Sequence, residues 1–185
     1  MFIIKNYYFL YTNNTRSINF KSLKRNKKYS IIYRTITFKK ESLKSINIFR
    51  KKCNIKKIKF YVANDYNLAK KTKADGLYLS AYNKSIHHNI NVIGSAHNYK
   101  EINQKIKQNC KIIFLSRLFK TGYKNKESFY GLLKFNLMIK NFKVMIIPLG
   151  GINKKNLLKI NLINSDGFGI MSEVKKKPAI SNRLF

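Results

Sequence analysis

Short apolar segments alternate along the chain with basic segments whose apolar residues recur every three or four positions. The apolar segments predict eight strands, at residues 8–12, 30–34, 58–62, 76–79, 91–94, 111–115, 144–148 and 166–170. The intervening segments predict helices at residues 41–52, 66–73, 128–141 and 154–160. Another helix carries Ile102 and Ile106. Asn98 can cap it, and Glu101 stands four residues before Lys105, the spacing of a surface ion pair.

Near-continuous apolar strands separated by helices are typical of a parallel sheet. Eight such units predict an α/β fold, a (β/α)8 TIM barrel, as a single domain over residues 1–185. Such barrels usually hold about 250 residues, so this one is compact, with short or missing helices. The link 79–91 has room for little helix, and the polar segment 13–28 replaces a regular first helix. The lysine-rich residues after Ser172 argue against a full last helix.

The composition indicates a folded protein without membrane spans. Apolar residues make up 44% of the chain, which is enough to bury a core. No apolar run reaches the roughly 18 residues of a bilayer span, and the first residues lack the apolar stretch of a signal peptide. We therefore expect a cytoplasmic protein. Cys53 and Cys110 are too few for a disulfide scaffold and too scattered for a metal site, so we expect both to be reduced and buried.

The charge is extreme, because 39 basic residues face 7 acidic ones and leave a net charge of +32. Such a surface favours non-specific binding of polyanions at low salt, including RNA. Only six of the basic residues are arginines, although arginine is the better residue for bidentate phosphate contacts. Lysine, asparagine, isoleucine, phenylalanine and tyrosine dominate the chain, and all have codons rich in adenine and thymine. Coding bias therefore competes with function as the cause of the charge.

In a barrel the functional site lies at the carboxyl ends of the strands. The polar residues expected at or just after these ends include Arg34, Asn64, Asp65, Asn83 and Ser95. After the seventh strand, Gly150-Gly151 leads into a helix that Asn153 can cap. Because free N–H groups at a helix N-terminus attract anions, this position predicts a phosphate site.

Six segments in order carry a resemblance to a known family. They are Ala63-Asn-Asp65, Ala74-Asp-Gly-Leu-Tyr-Leu79, Ile93-Gly-Ser-Ala-His97, Phe119-Lys-Thr-Gly-Tyr-Lys124, Pro148-Leu-Gly-Gly-Ile-Asn153 and Asp166-Gly-Phe-Gly-Ile-Met-Ser172. Each alone is a weak signal, since Asp-Gly before a strand and Gly-Gly-Ile are common in barrels, but together, at this spacing, they resemble the thiamine phosphate synthase family and its thiazole tautomerase relatives. The resemblance spans nearly the whole chain.

The resemblance implies a transferase of thiamine biosynthesis that uses Mg²⁺. Its substrates would be hydroxymethylpyrimidine diphosphate and thiazole phosphate, and its products thiamine phosphate and diphosphate. By resemblance, Arg34 and Lys124 are the catalytic cations at the diphosphate, and Asp65 and Asn83 occupy the metal positions. Asn64 and Ser95 would contact the pyrimidine diphosphate. The implied thiazole-phosphate residues are Thr121, Gly122, Tyr123, Gly151, Met171 and Ser172.

The chain also departs from the family pattern. Asn83 stands where the family has a second metal carboxylate, and Ile36 where it has a lysine. Ala81 replaces a glutamine, and Ser116-Arg117 replaces a Gly-Pro pair. Because the tautomerases need a histidine where Arg117 stands, this residue argues against tautomerase chemistry.

These departures leave two alternatives to a synthase. The first is a non-catalytic relative that binds a phosphorylated thiazole or thiamine phosphate, since the thiazole half of the pattern is better kept than the diphosphate half. The second is a basic barrel that binds RNA or another polyanion. The sequence leaves the oligomeric state open.

Overall fold

The computed structural model describes residues 5–21, 23, 28–35, 41–121 and 128–170. Eight parallel strands follow one another around a closed barrel. They are β1 (Tyr7–Thr12), β2 (Tyr29–Tyr33), β3 (Lys59–Ala63), β4 (Gly76–Leu79), β5 (Val92–Ala96), β6 (Ile112–Ser116), β7 (Met145–Leu149) and β8 (Gly167–Ile170). The ring closes where β1 pairs with β8, with Tyr7 opposite Gly167. The predicted (β/α)8 barrel is confirmed.

Short helices cover the outside of the barrel. They are α1 (Leu43–Ile55), α2 (Tyr66–Lys71), α3 (Tyr99–Lys107), α4 (Gly131–Ile139) and a 3₁₀ helix (Leu157–Leu162). The side chains of Ser42, Asp65 and Asn98 cap the first three helices. Every residue of the link 80–91 is described and none is helical, as the short spacing predicted.

Two sequence-based details are wrong. Asn153 does not cap a helix, because its Oδ1 accepts a bond from Lys155 N in a turn and the 3₁₀ helix begins only at Leu157. The side chain of Asn156 accepts from Asn153 N and donates to Gly151 O. These local bonds compete with helical ones, so the chain after Gly151 forms turns and the helix starts three residues later than predicted.

The second wrong detail is the pairing of Glu101 with Lys105. Glu101 instead accepts bonds from the N–H of His97 and contacts its ring nitrogen. Lys105 is fully buried and turns toward the link 80–91.

The interior of the barrel is filled with side chains. It holds Phe9, Tyr11, Ile32, Tyr61, Ala63, Tyr78, Ile93, Phe114, Ile147 and Leu149. A second, larger core lies between the strands and the surrounding helices. The buried free thiols Cys53 and Cys110 lie in this outer core, as predicted. Burial raises the pKa of Cys53 to about 12 and that of Cys110 to about 11.

Across the described residues, no helix combines the length and the apolar character that crossing a bilayer requires.

Candidate functional site

A cleft of about 520 Å³ opens at the carboxyl ends of β2 and β3. Its described lining is Arg34, Thr35, Ala63, Asn64, Asp65, Tyr66 and Asn67. The parallel topology brings these two strand ends together. Three residues that the sequence analysis singled out, Arg34, Asn64 and Asp65, therefore share one cleft.

Arg34 and Asp65 present opposite charges in this cleft. The backbone N–H of Arg34 donates to Thr12 O over 2.8 Å, which continues the β1–β2 pairing past the last strand residue, and the residue is exposed. Asp65 is exposed too. Its Oδ1 accepts from Leu68 N at the start of α2, and no described residue donates to its Oδ2. One carboxylate oxygen thus remains for a ligand or a cation.

Asn64 connects the cleft to the link 80–91. It has a positive φ of 58°, a conformation that asparagine tolerates better than most residues. Its Oδ1 accepts from Ser80 N at 2.9 Å and from Asn83 Nδ2 at 3.3 Å. The structure therefore joins the predicted residues Asn64 and Asn83. The Oδ1 of Asn83 is already occupied, because it accepts from Ser85 N and Ser85 Oγ.

Two of the three tyrosines in the barrel interior, Tyr11 and Tyr78, contact each other. The rings of Tyr11 and Tyr78 meet edge to face at 5.6 Å, and both contact the ring of Phe114 at 5.9 Å. Burial raises the pKa of both phenols, while neighbouring Ser95 and Arg34 partly oppose the rise for Tyr78. Both hydroxyls are therefore protonated and able to donate, and the buried Tyr11 Oη has no hydrogen-bond partner among the described residues.

Sequence reasoning missed this pair. Residues 9 and 11 of β1 both face the interior, as the twofold period of a strand requires. That alternation is the signal that could have placed Tyr11 inside the barrel.

The loops after β6 and β7 form a second group. Leu118 N donates to Leu149 O, and Phe119 N donates to Gly150 O, so the two loops run side by side. Gly151 has a φ of +72°, and an added Cβ would lie 2.4 Å from Phe119 O, so only glycine fits. The buried Thr121 Oγ1 has no hydrogen-bond partner among the described residues. Thr121 and Gly151 thus belong to the same pair of loops.

Several predicted site residues lie outside the described part of the chain. They are Gly122, Tyr123, Lys124, Met171 and Ser172, together with Ile36. Within the described residues, no three His, Cys, Asp or Glu side chains cluster in a way that could hold a metal ion by themselves. Asp65 is the single carboxylate among the described residues that line the cleft.

Comparisons with known proteins agree with this geometry. Among solved structures, thiamine phosphate pyrophosphorylase from Pyrococcus furiosus superposes with a TM-score of 0.77 at 18% identity, covering 98% of this chain and 94% of its own. The enzyme of the same name from Bacteroides thetaiotaomicron gives a TM-score of 0.62 at 16% identity, over 91% and 83% of the two chains. At these identities, the likeness shows the fold.

A curated relative adds sequence similarity. The thiamine-phosphate synthase of Prochlorococcus marinus subsp. pastoris is 29% identical over 125 residues, which cover 64% of this chain and 36% of the relative. The present chain therefore matches only about a third of that relative's length.

A family model described as thiamine monophosphate synthase matches residues 21–174, which is most of the chain. Those residues include the cleft at β2 and β3 and the paired loops after β6 and β7. The chain belongs to the thiamine monophosphate synthase family.

Proposed function

We propose that this chain is a thiamine phosphate synthase. It would condense hydroxymethylpyrimidine diphosphate with thiazole phosphate and release diphosphate. The proposal rests on one observation: Arg34, Asn64 and Asp65 line one cleft at the carboxyl ends of β2 and β3, in a chain of this family. Two buried free thiols suit a reducing compartment, and we place the reaction in the cytoplasm.

The reaction exchanges one bond for another. The bond between the pyrimidine methylene carbon and the diphosphate oxygen breaks, and its electron pair leaves with diphosphate. The lone pair of the thiazole nitrogen then forms the new carbon–nitrogen bond. The protein must stabilise the charge that develops on the leaving group and hold the two partners in line. Arg34 supplies a cation at the cleft, and by family resemblance Lys124 supplies a second.

The residues of the cleft fit Mg²⁺ bound through one carboxylate. Mg²⁺ commonly takes one or two protein carboxylates, with substrate phosphates and water as its other ligands. Asp65 has an oxygen available for this role, whereas a contact through Asn83 Oδ1 would compete with its two bonds from Ser85. When bound, Mg²⁺ neutralises charge on the diphosphate. We therefore assign the protein's contribution mainly to Asp65, with Asn83 as a secondary candidate.

The two substrates would occupy different parts of the site. Asn64 and Ser95 would contact the pyrimidine diphosphate, above the buried phenols of Tyr11 and Tyr78. The thiazole phosphate would lie at the paired loops, where Thr121 Oγ1 has no partner among the described residues and can donate, and where Gly151 allows close approach. By resemblance, Gly122, Tyr123, Met171 and Ser172 complete this half.

A thiochrome fluorescence assay tests the proposal. Purified protein is mixed with both substrates and Mg²⁺, and thiamine phosphate is measured after oxidation. The informative variant is Asp65→Asn, because asparagine can still cap α2 but removes the charge. The matched control is Asp166→Ala, which removes an exposed carboxylate just before β8, at the opposite end of the barrel.

We expect thiamine phosphate from the wild type and from Asp166→Ala, and a loss of about 100-fold or more in Asp65→Asn, in line with the cost of removing a charged contact at a reacting centre. A folded wild type without product would refute the synthase. Full activity in Asp65→Asn would refute the assigned metal site.

A further inference from the structure

Lys105 is a fully buried lysine on α3. Its Nζ donates to Ser80 O at 2.7 Å, to Asn83 O at 2.7 Å and to Gln108 Oε1 at 2.9 Å. An ammonium group has three protons, and all three are used. Lys105 therefore cannot contact a substrate, and any role in the site must act through its partners.

Gln108 is also fully buried and bonds to the same segment of the link 80–91. Its Nε2 donates to Asn83 O at 3.1 Å and to Ser85 O at 2.6 Å. Together the two side chains hold three main-chain carbonyls of the segment 80–85. No helix of its own anchors the link 80–91, so two side chains of α3 supply that anchorage.

The segment held in this way reaches the cleft at two points. Ser80 N and Asn83 Nδ2 both donate to Asn64 Oδ1. The His87 ring stacks on the ring of Tyr66, which lines the cleft, with a centroid distance of 4.6 Å. His87 is in turn tied to the segment by a 2.9 Å contact between its Nε2 and Ser85 Oγ.

A lysine at this position is costly for the fold. Lysines are almost never fully buried unless paired, and Glu101, the nearest acidic residue on α3, bonds to His97 instead. Desolvation lowers the pKa of Lys105, an effect that Cys110 and Glu101 only partly oppose. Its stem packs beside Gly94, where an added Cβ would lie 2.9 Å from Lys105 Cδ. An apolar residue would fill this space without the desolvation cost.

We infer that Lys105 is a positioning residue that, with Gln108, fixes the segment 80–87 and through it Asn64 at the pyrimidine diphosphate end of the cleft. The catalytic consequence of this role rests on the proposed function. The contacts that Lys105 and Gln108 make with the link 80–91 do not depend on that function.

The first test needs no substrate. Hydrogen exchange is followed by mass spectrometry in peptides covering residues 80–90, where Ser80 N and Ser85 N are held by side-chain oxygens. We expect Lys105→Met to speed exchange about tenfold or more, because local opening there loses its main restraint. Lys107→Met is the matched control, since Lys107 is exposed on the same helix, and it should leave exchange unchanged. Unchanged exchange in Lys105→Met would overturn the inference.

The second test uses turnover. We expect Lys105→Met to raise the KM for the pyrimidine diphosphate about tenfold, with a smaller effect on kcat and none on the KM for thiazole phosphate. Combined with Asn64→Ala, the effects should be less than additive, because both changes act on the same contact. Equal rises in both KM values, or full additivity, would reduce Lys105 to a structural residue.

Two further outcomes are separable. If Lys105→Met does not fold, Gln108→Met removes the two bonds that Gln108 donates and the one it accepts from Lys105, but it keeps the Lys105 bonds to Ser80 O and Asn83 O. The same expectations apply to it at a smaller size. If the wild type makes no thiamine phosphate, the proposed function fails, and the exchange experiment alone decides whether Lys105 fixes the segment.

Discussion

At the residue scale, individual side chains of the cleft have different roles. Arg34 combines a backbone fixed by its bond to Thr12 O with an exposed guanidinium. It is also close enough to influence the ionisation of the buried Tyr11 and Tyr78. By resemblance, the family has a lysine two residues later, where this chain has Ile36, so under the proposed function we expect Arg34 to neutralise more of the diphosphate charge.

Arg34→Gln is therefore expected to raise the KM for the pyrimidine diphosphate by about 10- to 100-fold, the size of one charge-assisted contact of about 1.5–3 kcal/mol. The KM for thiazole phosphate should change little. Lys51→Gln, which removes an exposed cation on α1, is the control for the general loss of positive charge. Steady-state kinetics with each substrate varied in turn gives the answer, and equal effects of both variants would contradict the assignment.

At the element scale, the loops after β6 and β7 act as one unit. Their contact depends on Gly151, whose added Cβ would lie 2.4 Å from Phe119 O and 2.7 Å from Lys120 O. Gly131, at the start of α4, has a similar φ of +68° but nothing within 4 Å of the added Cβ. Backbone strain from an added side chain is therefore expected at both glycines, whereas steric conflict is expected only at Gly151.

Gly131→Ala should cost about 1 kcal/mol, the strain of a left-handed conformation alone. Gly151→Ala should cost more, by about 1–3 kcal/mol, because the main chain at Phe119 must also move. Urea unfolding measures both. Gly151→Ala should in addition weaken binding of thiazole phosphate in calorimetry, whereas Gly131→Ala should not. Equal losses in the free energy of unfolding would show that the loops after β6 and β7 can move apart at no additional cost.

The sequence predicted elements better than it predicted connections. Strands such as 111–115 are uninterrupted apolar runs, and their order alone brought Arg34 and Asn64 to the same end of the barrel. The helix predicted at residues 154–160 was wrong because asparagine side chains bond to the local backbone, which periodicity does not register. Lys105 was missed as a buried group because lysine on a helix is normally solvated. The only available signal was its place three residues after the buried Ile102.

At the scale of the whole molecule, buried acids and unpaired cations set the conditions for stability. Cys53, Cys110 and Tyr61 have pKa values raised by burial to about 12, 11 and 12. Each stays protonated in the folded state, whereas the unfolded chain begins to ionise near its ordinary value of 9.0 or 10.0. Proton release therefore favours the unfolded chain as pH rises.

The contribution of these three groups to the free energy of unfolding should thus be level up to about pH 8 and fall between about pH 9 and 12. Urea unfolding over this range measures the slope. Cys53→Val should flatten it, because valine does not ionise, and Tyr82→Phe, a change at an exposed ring, should not. An identical slope in Cys53→Val and in the wild type would contradict the burial of Cys53.

The net charge of +32 should also make the thermal stability of the protein depend on salt. Among the described residues, Arg50 forms an ion pair with Asp75, and the His97 ring contacts Glu101, so most cations face like charges. In 0.1 M sodium chloride, repulsion between exposed charges more than about 10 Å apart is largely screened. The Tm should therefore rise by several degrees between low salt and physiological salt. Lys51→Glu should raise Tm at low salt and reduce the salt effect. A Tm that falls with added salt would show that pairing outweighs repulsion.

The closure of β8 onto β1 has a consequence for how the protein is made. Tyr7 and Gly167 are neighbours in the finished ring, but a ribosome synthesises them some 160 residues apart. Until β8 emerges, the growing sheet has two open edges, each able to pair with another chain. Contacts between such distant residues also form slowly. Because a net charge far from zero opposes association, the charge of +32 should disfavour pairing of nascent copies during this interval, whatever its origin in codon usage.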